Sequence, residues 1–452
     1  MDAHPVAAVI LAAGEGARMK SASPKVLHRI GGRSMLVHVM TAAESLKPQR
    51  LCIVVGDHSP AVEEAARAVR ADAALAVQAP PRGTGDAVSK ALPALEGYEG
   101  VVLVLYADTP LIEPETLRAL VEAAEGNAGA VLGFRAFDPG AYGRLIVDDD
   151  GGLAAIVEAK DASPEELDID LCNSGVMAVG AAFLREALPR LTPDNAKNEY
   201  YLTDIVAIAR ASGKRFAVIE ADEDEVLGVN SRLELAIAEE IFQDRCRIEA
   251  MAEGATLIDP STVYFSFDTK IGRDVVIEPN VIFGPGVAIA DGALVKGFSH
   301  IEGARVASGA VVGPFARLRP GAEIGEGARI GNFVEVKAAE IGAGAKVNHL
   351  SYIGDAAVGA RANIGAGTIT CNYDGYRKYR TEIGEEAFIG SNSALVAPVK
   401  IGAGAYIGSG SVITRNVEEG ALAVARGRQA DIKGWAARFR NASMADRNKD
   451  EA

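Results

Sequence analysis

The stretch IGRDVV-IEPNVI-FGPGVA-IADGAL-VKGFSH-I, residues 271–301, decides how the second half of this chain folds. An aliphatic or aromatic residue returns at every sixth position: Ile271, Ile277, Phe283, Ile289, Val295 and Ile301. Small or polar residues fill the gaps. This period is the signature of a parallel β-helix. Each hexapeptide forms one flat side of a three-sided coil, with its aliphatic residue pointing inward and small residues making the corners. Each coil then advances by one strand spacing, ~4.8 Å. The period continues more loosely through Ala307, Gly313 and Arg319. It resets at Ile324, Ile330 and Val336, then at Ile341, Val347 and Ile353, and returns from Ile383 through Ile389, Leu395, Ile401 and Ile407 to Ile413. Of 49 glycines, 25 lie between Ile271 and Thr414, as tight periodic corners require.

The interruption TCNYDGYRKYRTE, Thr370 to Glu382, is too polar for a prism interior and is expected to leave it as a loop. Beyond Val424 a basic tail carries Arg426, Arg428, Lys433, Arg438 and Arg440 near Trp435. Asn441 to Ala452 read as disordered. On the amino-terminal side, Leu233, Ile237, Ile241, Ile248 and Met251 recur at helical spacing and predict one long connecting helix over 233–253. Residues 1–232 alternate apolar strand-like runs (Val6–Leu11, Leu51–Val55, Val101–Leu105) with helical stretches. That alternation predicts a Rossmann-like, mostly parallel α/β sheet with ligands beyond the carboxyl ends of its strands. Three segments follow: an α/β domain over 1–232, a linker helix, and a β-helix with its tail over 254–452.

Composition narrows the function. The formal charge of −15 argues against general affinity for nucleic acid or acidic membranes, although local cations and amides still permit anionic ligands. No apolar run reaches the ~18 residues of a membrane span, and the amino terminus has no signal-peptide pattern. Cys52, Cys172, Cys246 and Cys371 form no CxxC pair, which suits free thiols in a reducing cytoplasm.

After the first strand comes Leu11-Ala-Ala-Gly14-Glu-Gly16-Ala-Arg18-Met19, then Pro24-Lys25. Small residues let backbone amides approach phosphates, and Arg18 and Lys25 supply positive charge. The loop lacks the Gly-Lys-Ser/Thr ending of a Walker loop and the third Gly of the dinucleotide fingerprint. With Gln78, Gly83-Thr-Gly85, Tyr106-Ala-Asp108, Tyr142-Gly143-Arg144, Glu158-Ala-Lys160, Asn173-Ser-Gly175, Glu199-Tyr-Tyr201, Thr203-Asp204 and Gly228-Val-Asn230, the chain resembles the sugar-phosphate nucleotidyltransferases. Joined to the hexapeptide repeats, it resembles over about residues 6 to 440 the bifunctional GlmU family. Those enzymes are N-acetylglucosamine-1-phosphate uridyltransferases and glucosamine-1-phosphate acetyltransferases.

The resemblance implies an α/β nucleotidyltransferase domain and a left-handed parallel β-helix, usually trimeric. It implies that Leu11, Ala12, Ala13, Gly14, Gln78, Gly83 and Thr84 hold uracil and ribose. Gly143, Glu158, Asn173 and Thr203 would hold the sugar, and Asp108 and Asn230 would bind Mg²⁺. Arg18 and Lys25 would offset charge as UTP is attacked. The family loop usually has Thr where Ala17 stands, and Gly where Ala107 stands. Neither change removes a ligand or a charge.

Within the repeats, His349 follows the inward Val347 by two residues. Unperturbed imidazole titrates near ~6.5, which suits accepting a proton from an amine. Arg319, Glu335, Lys337, Tyr352, Asn363, Asn372-Tyr373 and Lys378 recur near successive coils and the loop. The resemblance makes His349 the general base, with Glu335 orienting the amine or the imidazole. It puts Arg319 and Lys337 on the sugar phosphate, and Tyr352, Asn363 and Asn372-Tyr373 at the acceptor and acetyl groups. Ala366, Ser391, Ser409 and Arg426 would line the acetyl-CoA groove. Two other readings stay open at this point: a single-activity nucleotidyltransferase with a structural prism, and a non-catalytic assembly module retaining both folds.

Overall fold

The computed structural model describes residues 5–14, 16–56, 60–148 and 151–450, with backbone alone over 445–450. The chain forms two compact units that divide at Ala250, with Tyr264–Asp268 returning to the first.

The first unit is built on a mixed sheet. In spatial order its main strands are Phe216–Ala221, Gly129–Arg135, Leu171–Gly180, Val101–Tyr106, Val6–Ala12, Arg50–Val55 and Ala74–Val77. All are parallel except Leu171–Gly180, which is antiparallel to both its neighbours. The central strands are apolar along their whole length because helices cover both faces. Ala8 and Ile10 pack into one core layer, Ala7 and Val9 into the other. Full burial of each large aliphatic stabilises by about 1.5–3 kcal/mol. After Val6–Ala12 the chain runs outward through Arg50–Val55 and Ala74–Val77, then returns to the opposite side as Val101–Tyr106. The order reverses between these central strands, so a crevice opens at their carboxyl ends.

The connecting helix spans Arg232–Ala252. Of its apolar stripe, Ile241 packs against a core cluster and the rest stays outside. Leu233, Ile237, Ile248 and Met251 are exposed, whereas Ala238, Gln243, Arg247 and Ala250 are buried. Gln243 donates from Nε2 to the Phe265 carbonyl at 2.8 Å and accepts from its amide at 2.7 Å. Buried backbone groups need such partners, and the Gln243 amide serves both the N–H and the carbonyl of Phe265.

The second unit is a parallel β-helix. Its three faces are columns of short parallel strands, such as Val276–Ile277, Leu294–Val295, Val311–Val312 and Arg329–Asn332 on one face. Ile277, Val295, Val312, Ile330, Val347, Ile364, Ile389 and Ile407 stack inward on that face. A second buried column two residues earlier runs from Val275 through Ala293, Ala310, Ala328, Ala345, Ala362, Ala387 and Ala405, and its small side chains make a tight corner.

The register differs from the sequence reading in two places. After Ile301 the inward residues are Val306, Val312 and Leu318, not Ala307, Gly313 and Arg319. Ile289 pairs with Val306, one residue short of three hexapeptides, so one corner is made with a residue fewer. The expected loop is also shorter. Thr370 and Thr381 are fully buried prism residues on paired strands, and the excursion is confined to 372–380. Thr370 is accommodated because its hydroxyl accepts from the Gly354 amide at 2.8 Å. The tail forms a helix over Trp435–Asp450, which takes in residues 441–450 of the stretch expected to be disordered. Residues 451–452 lie outside the described residues.

Candidate functional sites

In the first unit a cavity of about 480 Å³ opens at the carboxyl ends of Val6–Ala12 and Val101–Tyr106. It is lined by Leu11, Ala12, Ala13, Gly14, Lys25, Gln78, Gly83, Thr84, Asp108, Gly143, Glu158, Asn173 and Thr203. Every residue expected at the nucleotide and sugar is therefore here except Asn230, which adjoins through Lys25. Arg18 is exposed on the turn Ala17–Met19 and does not line the cavity.

Lys25 is buried, and its ammonium forms an ion pair with the Asp108 carboxylate. The same Nζ donates to Asn230 Oδ1 at 3.0 Å. The side chain reaches them beneath the loop because Gly16, at φ +63°, leaves room. A Cβ there would stand 2.5 Å from Lys25 Cβ. Asp108 and Asn230 are held together by the backbone, the Val229 amide donating to the Asp108 carbonyl at 2.8 Å. Two oxygens from distant parts of the sequence thus converge on one cationic atom.

Around the sugar end, buried Arg144 donates to the carbonyls of Tyr142, Pro139 and Leu167, which fixes the loop that carries Gly143. The Asn173 amide donates to the Gly143 carbonyl at 2.8 Å. Burial pushes the Glu158 carboxyl above the usual carboxylate range, with Lys197 partly offsetting it. Burial also raises Asp204, helped by Asp161. Lys197, Glu199 and Tyr201 line the cavity too. Glu199 and Tyr201 stood in a motif of the sequence, whereas nothing in the sequence marked Lys197. Gln78 bonds through Nε2 to the Gly83 carbonyl and to Asp86 Oδ2. Among the described residues no group of three or more His, Cys, Asp or Glu side chains could hold a metal ion.

In the second unit, His349 ends the strand Lys346–His349 at a prism corner. Its Nδ1 lies 2.8 Å from Oδ1 of Asn332, its register partner on the preceding coil. The same corner continues through Ala366, Ser391 and Ser409, one residue per coil. Backbone bonds link the levels: Gly367 to His349, Asn392 to Ala366 and Gly410 to Ser391. Arg426 closes the column, donating to the Ser409 carbonyl at 2.7 Å. Small side chains keep this corner low beside the imidazole.

Glu335, Tyr352 and Ile369 are register neighbours on the adjoining face. The Glu335 carboxylate accepts from Arg319 Nη1 at 2.8 Å and so is engaged by a cation, while the partner of the imidazole is Asn332. Asn332 went unnoticed in the sequence because its pairing with His349 exists only across coils. Asn372 Nδ2 donates to the Asp355 carboxylate and, at 3.4 Å, to the Tyr352 hydroxyl. Lys378 and Arg319 crowd Lys337 and hold its ammonium below the usual lysine range, Lys378 contributing most. Three cations around one spot suit a dianionic group. Tyr373 is exposed on the loop, and Asn363 lies outward on the His349 face, paired in register with Lys346.

Beside this cluster Phe298, Phe315, Phe333 and Leu350 form an exposed apolar column. Its rings stack at 4.9 and 5.2 Å. A cavity of about 410 Å³ lies against it, lined also by Glu335 and Tyr352.

Residues 8–200 match the MobA-like NTP transferase domain. Residues 268–303, 303–338 and 380–415 match the bacterial transferase hexapeptide family. The chain is 58% identical over 443 residues to the bifunctional protein GlmU of Azorhizobium caulinodans, covering 98% of this chain and 99% of that one. It is 55% identical to its counterpart in Paramagnetospirillum magneticum over the full length of both. To that of Rhodospirillum rubrum it is 60% identical, over 96% of this chain and 97% of the other.

Proposed function

The chain belongs to the bifunctional GlmU family, and on that premise we propose that it makes UDP-N-acetylglucosamine by two transfers. The prism, residues 254–452, moves an acetyl group from acetyl-CoA to glucosamine-1-phosphate. The α/β domain, residues 1–232, joins the resulting N-acetylglucosamine-1-phosphate to UMP from UTP and releases pyrophosphate. Residues 233–253 link the two. The product supplies peptidoglycan and lipid A synthesis. The observation that carries this reading is that each unit has its own assembled constellation. A purely structural prism has no need of the His349 corner.

In acetyl transfer, His349 takes a proton from the sugar amine through Nε2. Its Nδ1 hydrogen is held by Asn332. The amine nitrogen attacks the thioester carbonyl, the C–S bond breaks, and CoA leaves as the thiol. Arg319, Lys337 and Lys378 hold the sugar phosphate. Glu335 orients the amine from its pairing with Arg319. Tyr352, Asn363, Asn372 and Tyr373 frame the acceptor and acetyl groups, and CoA lies along Ala366, Ser391, Ser409 and Arg426.

In uridylyl transfer, Leu11, Ala12, Ala13, Gly14, Gln78, Gly83 and Thr84 hold uridine. Gly143, Glu158, Asn173 and Thr203 hold the sugar. The sugar-phosphate oxygen attacks the α-phosphorus in line, while Arg18 and Lys25 offset the charge of the departing pyrophosphate. Asp108 and Asn230 would hold Mg²⁺. The donor set fits, since both oxygens already converge on a cation, the Lys25 ammonium, and Mg²⁺ favours few protein ligands beside phosphates. When bound, Mg²⁺ neutralises triphosphate charge.

The apolar column at Phe298, Phe315, Phe333 and Leu350 supports assembly into a homotrimer, since contiguous exposed apolar side chains favour being covered. The free cysteines and the acetyl-CoA and UTP substrates support a cytoplasmic location. No described helix is long and apolar enough to cross a membrane, and the charge of −15 argues against general affinity for nucleic acid.

The test is one assay with glucosamine-1-phosphate, acetyl-CoA, UTP and Mg²⁺, following free CoA thiol and pyrophosphate separately. Both products, with pyrophosphate depending on acetyl-CoA, are expected. Pyrophosphate only from supplied N-acetylglucosamine-1-phosphate, with no thiol, would leave the prism structural and the enzyme a single-activity nucleotidyltransferase.

A further inference from the structure

We propose that Asp86 is a positioning residue that sets the base specificity of the nucleotide cavity, making it accept a pyrimidine with a hydrogen on N3 and reject cytosine. The proposal rests on the uridylyl-transfer reading and deepens it. Gln78 lines the cavity and is 5% exposed, so its amide is locked. Its Nε2 donates to the Gly83 carbonyl at 2.9 Å and to Asp86 Oδ2 at 2.8 Å. An amide NH₂ has two hydrogens, and both are thereby used. The reversed amide would set Oε1 against two acceptors, a carbonyl and a carboxylate, so it is excluded.

What remains for a ligand is Oε1, which only accepts. A uracil edge brings N3–H to it. Cytosine brings a lone pair at N3, and the buried oxygen is then left unpaired against another acceptor. Sites that hydrogen-bond a substrate N–H or O–H discriminate strongly against analogues lacking it.

Asp86 performs this role because an ionised carboxylate cannot donate. It sits in the first turn of the helix Thr84–Ala91, with its side chain 11% exposed and Lys90 Nζ 3.7 Å away. Asn at this position could turn with Gln78 and present either edge. An apolar residue would leave the amide orientation to Gly83 alone. The signal lies in a pairing of residues eight apart across a loop, which no motif marks.

The experiment compares kcat/KM for UTP and CTP with N-acetylglucosamine-1-phosphate in the wild type, Asp86→Ala, Asp86→Asn and Lys90→Ala. Acetyl transfer and thermal melting of the same samples report folding. Wild type is expected to prefer UTP by about 10³-fold or more. In Asp86→Ala and Asp86→Asn the UTP:CTP ratio falls at least about tenfold, with UTP use down and CTP use held or raised. Lys90→Ala keeps the wild-type ratio. If both Asp86 variants lose UTP and CTP activity equally, so that the ratio stands, Asp86 merely supports the helix and the proposal is overturned. If Asp86→Ala does not fold, Asp86→Asn, which keeps the shape, decides alone. A wild type active with neither nucleotide overturns the uridylyl-transfer reading, and this inference with it.

Discussion

Asn332 Oδ1 lies 2.8 Å from Nδ1 of His349, one coil away on the same corner of the prism. An amide oxygen there stabilises the tautomer with hydrogen on Nδ1 and leaves the Nε2 lone pair free. His349→Ala is expected to lower acetyl transfer by about 10²–10⁴-fold with uridylyl transfer intact. Asn332→Ala should lower acetyl kcat by about tenfold or more, since a wrong tautomer is inactive. Asn332→Asp should restore much of it and move the acid limb of the pH–rate profile to higher pH, because a carboxylate favours imidazolium. Thiol release measured across pH checks all three. A His349→Ala variant that still acetylates at wild-type rate would falsify the base assignment.

The Lys25 ammonium bonds to both Asp108 and Asn230, the two residues proposed to hold Mg²⁺. A cation and an ammonium compete for the same carboxylate. Lys25→Ala should therefore bind Mn²⁺ severalfold more tightly in nucleotide-free protein, read by electron paramagnetic resonance or calorimetry. Its uridylyl kcat should nonetheless fall by about 10²-fold, for want of charge at the pyrophosphate. Asp108→Ala should lose both metal affinity and uridylyl transfer while acetyl transfer persists. Unchanged Mn²⁺ affinity in Lys25→Ala would show that the lysine does not guard the site.

Glu158 gives a pH dependence of definite sign. Burial raises its folded-state pKa above the unfolded value. Between the two values the native state binds more protons, so wild-type stability falls as pH rises through that window and is flat above it. Glu158→Gln lacks this contribution. The stability of the variant relative to wild type should rise from acid toward neutral pH, measured as urea midpoints across that range. A difference constant with pH would mean that Glu158 titrates normally.

Gly331 permits two coils to touch beneath the His349 corner. A Cβ at this residue would stand 1.9 Å from the Asn348 carbonyl oxygen, next to His349. Gly331→Ala should destabilise the prism by about 1–3 kcal/mol through overpacking. Displacement of His349 should cost acetyl transfer about 10²-fold and spare uridylyl transfer. Thermal melting and the two product assays separate these effects, and equal damage to both reactions would contradict it.

Much of this protein was legible in one dimension. The six-residue period from Ile271 marked a prism because an inward position in a regular coil repeats at a constant interval. The glycine-rich loop before Lys25 and the Asp after Val101–Leu105 marked the strand ends where the cavity opens. Reading failed where spacing ceased to be regular. The corner after Ile301 uses one residue fewer, which moved the inward position from Ala307 to Val306. Thr370 and Thr381 looked too polar for the interior, yet both are fully buried.

The sequence by itself determined the two folds, the family and the residue types available to each site, since periodicity and local motifs are properties of neighbours along the chain. Only the tertiary structure decided which of those residues act on each other. Lys25 meets Asp108 and Asn230, Asn332 meets His349, and Asp86 turns the amide of Gln78. Hydrogen bonds and ion pairs act over about 3 Å. Side chains far apart in the chain, or joined across a turn, come within that range only when the sheet and the stacked coils bring them there.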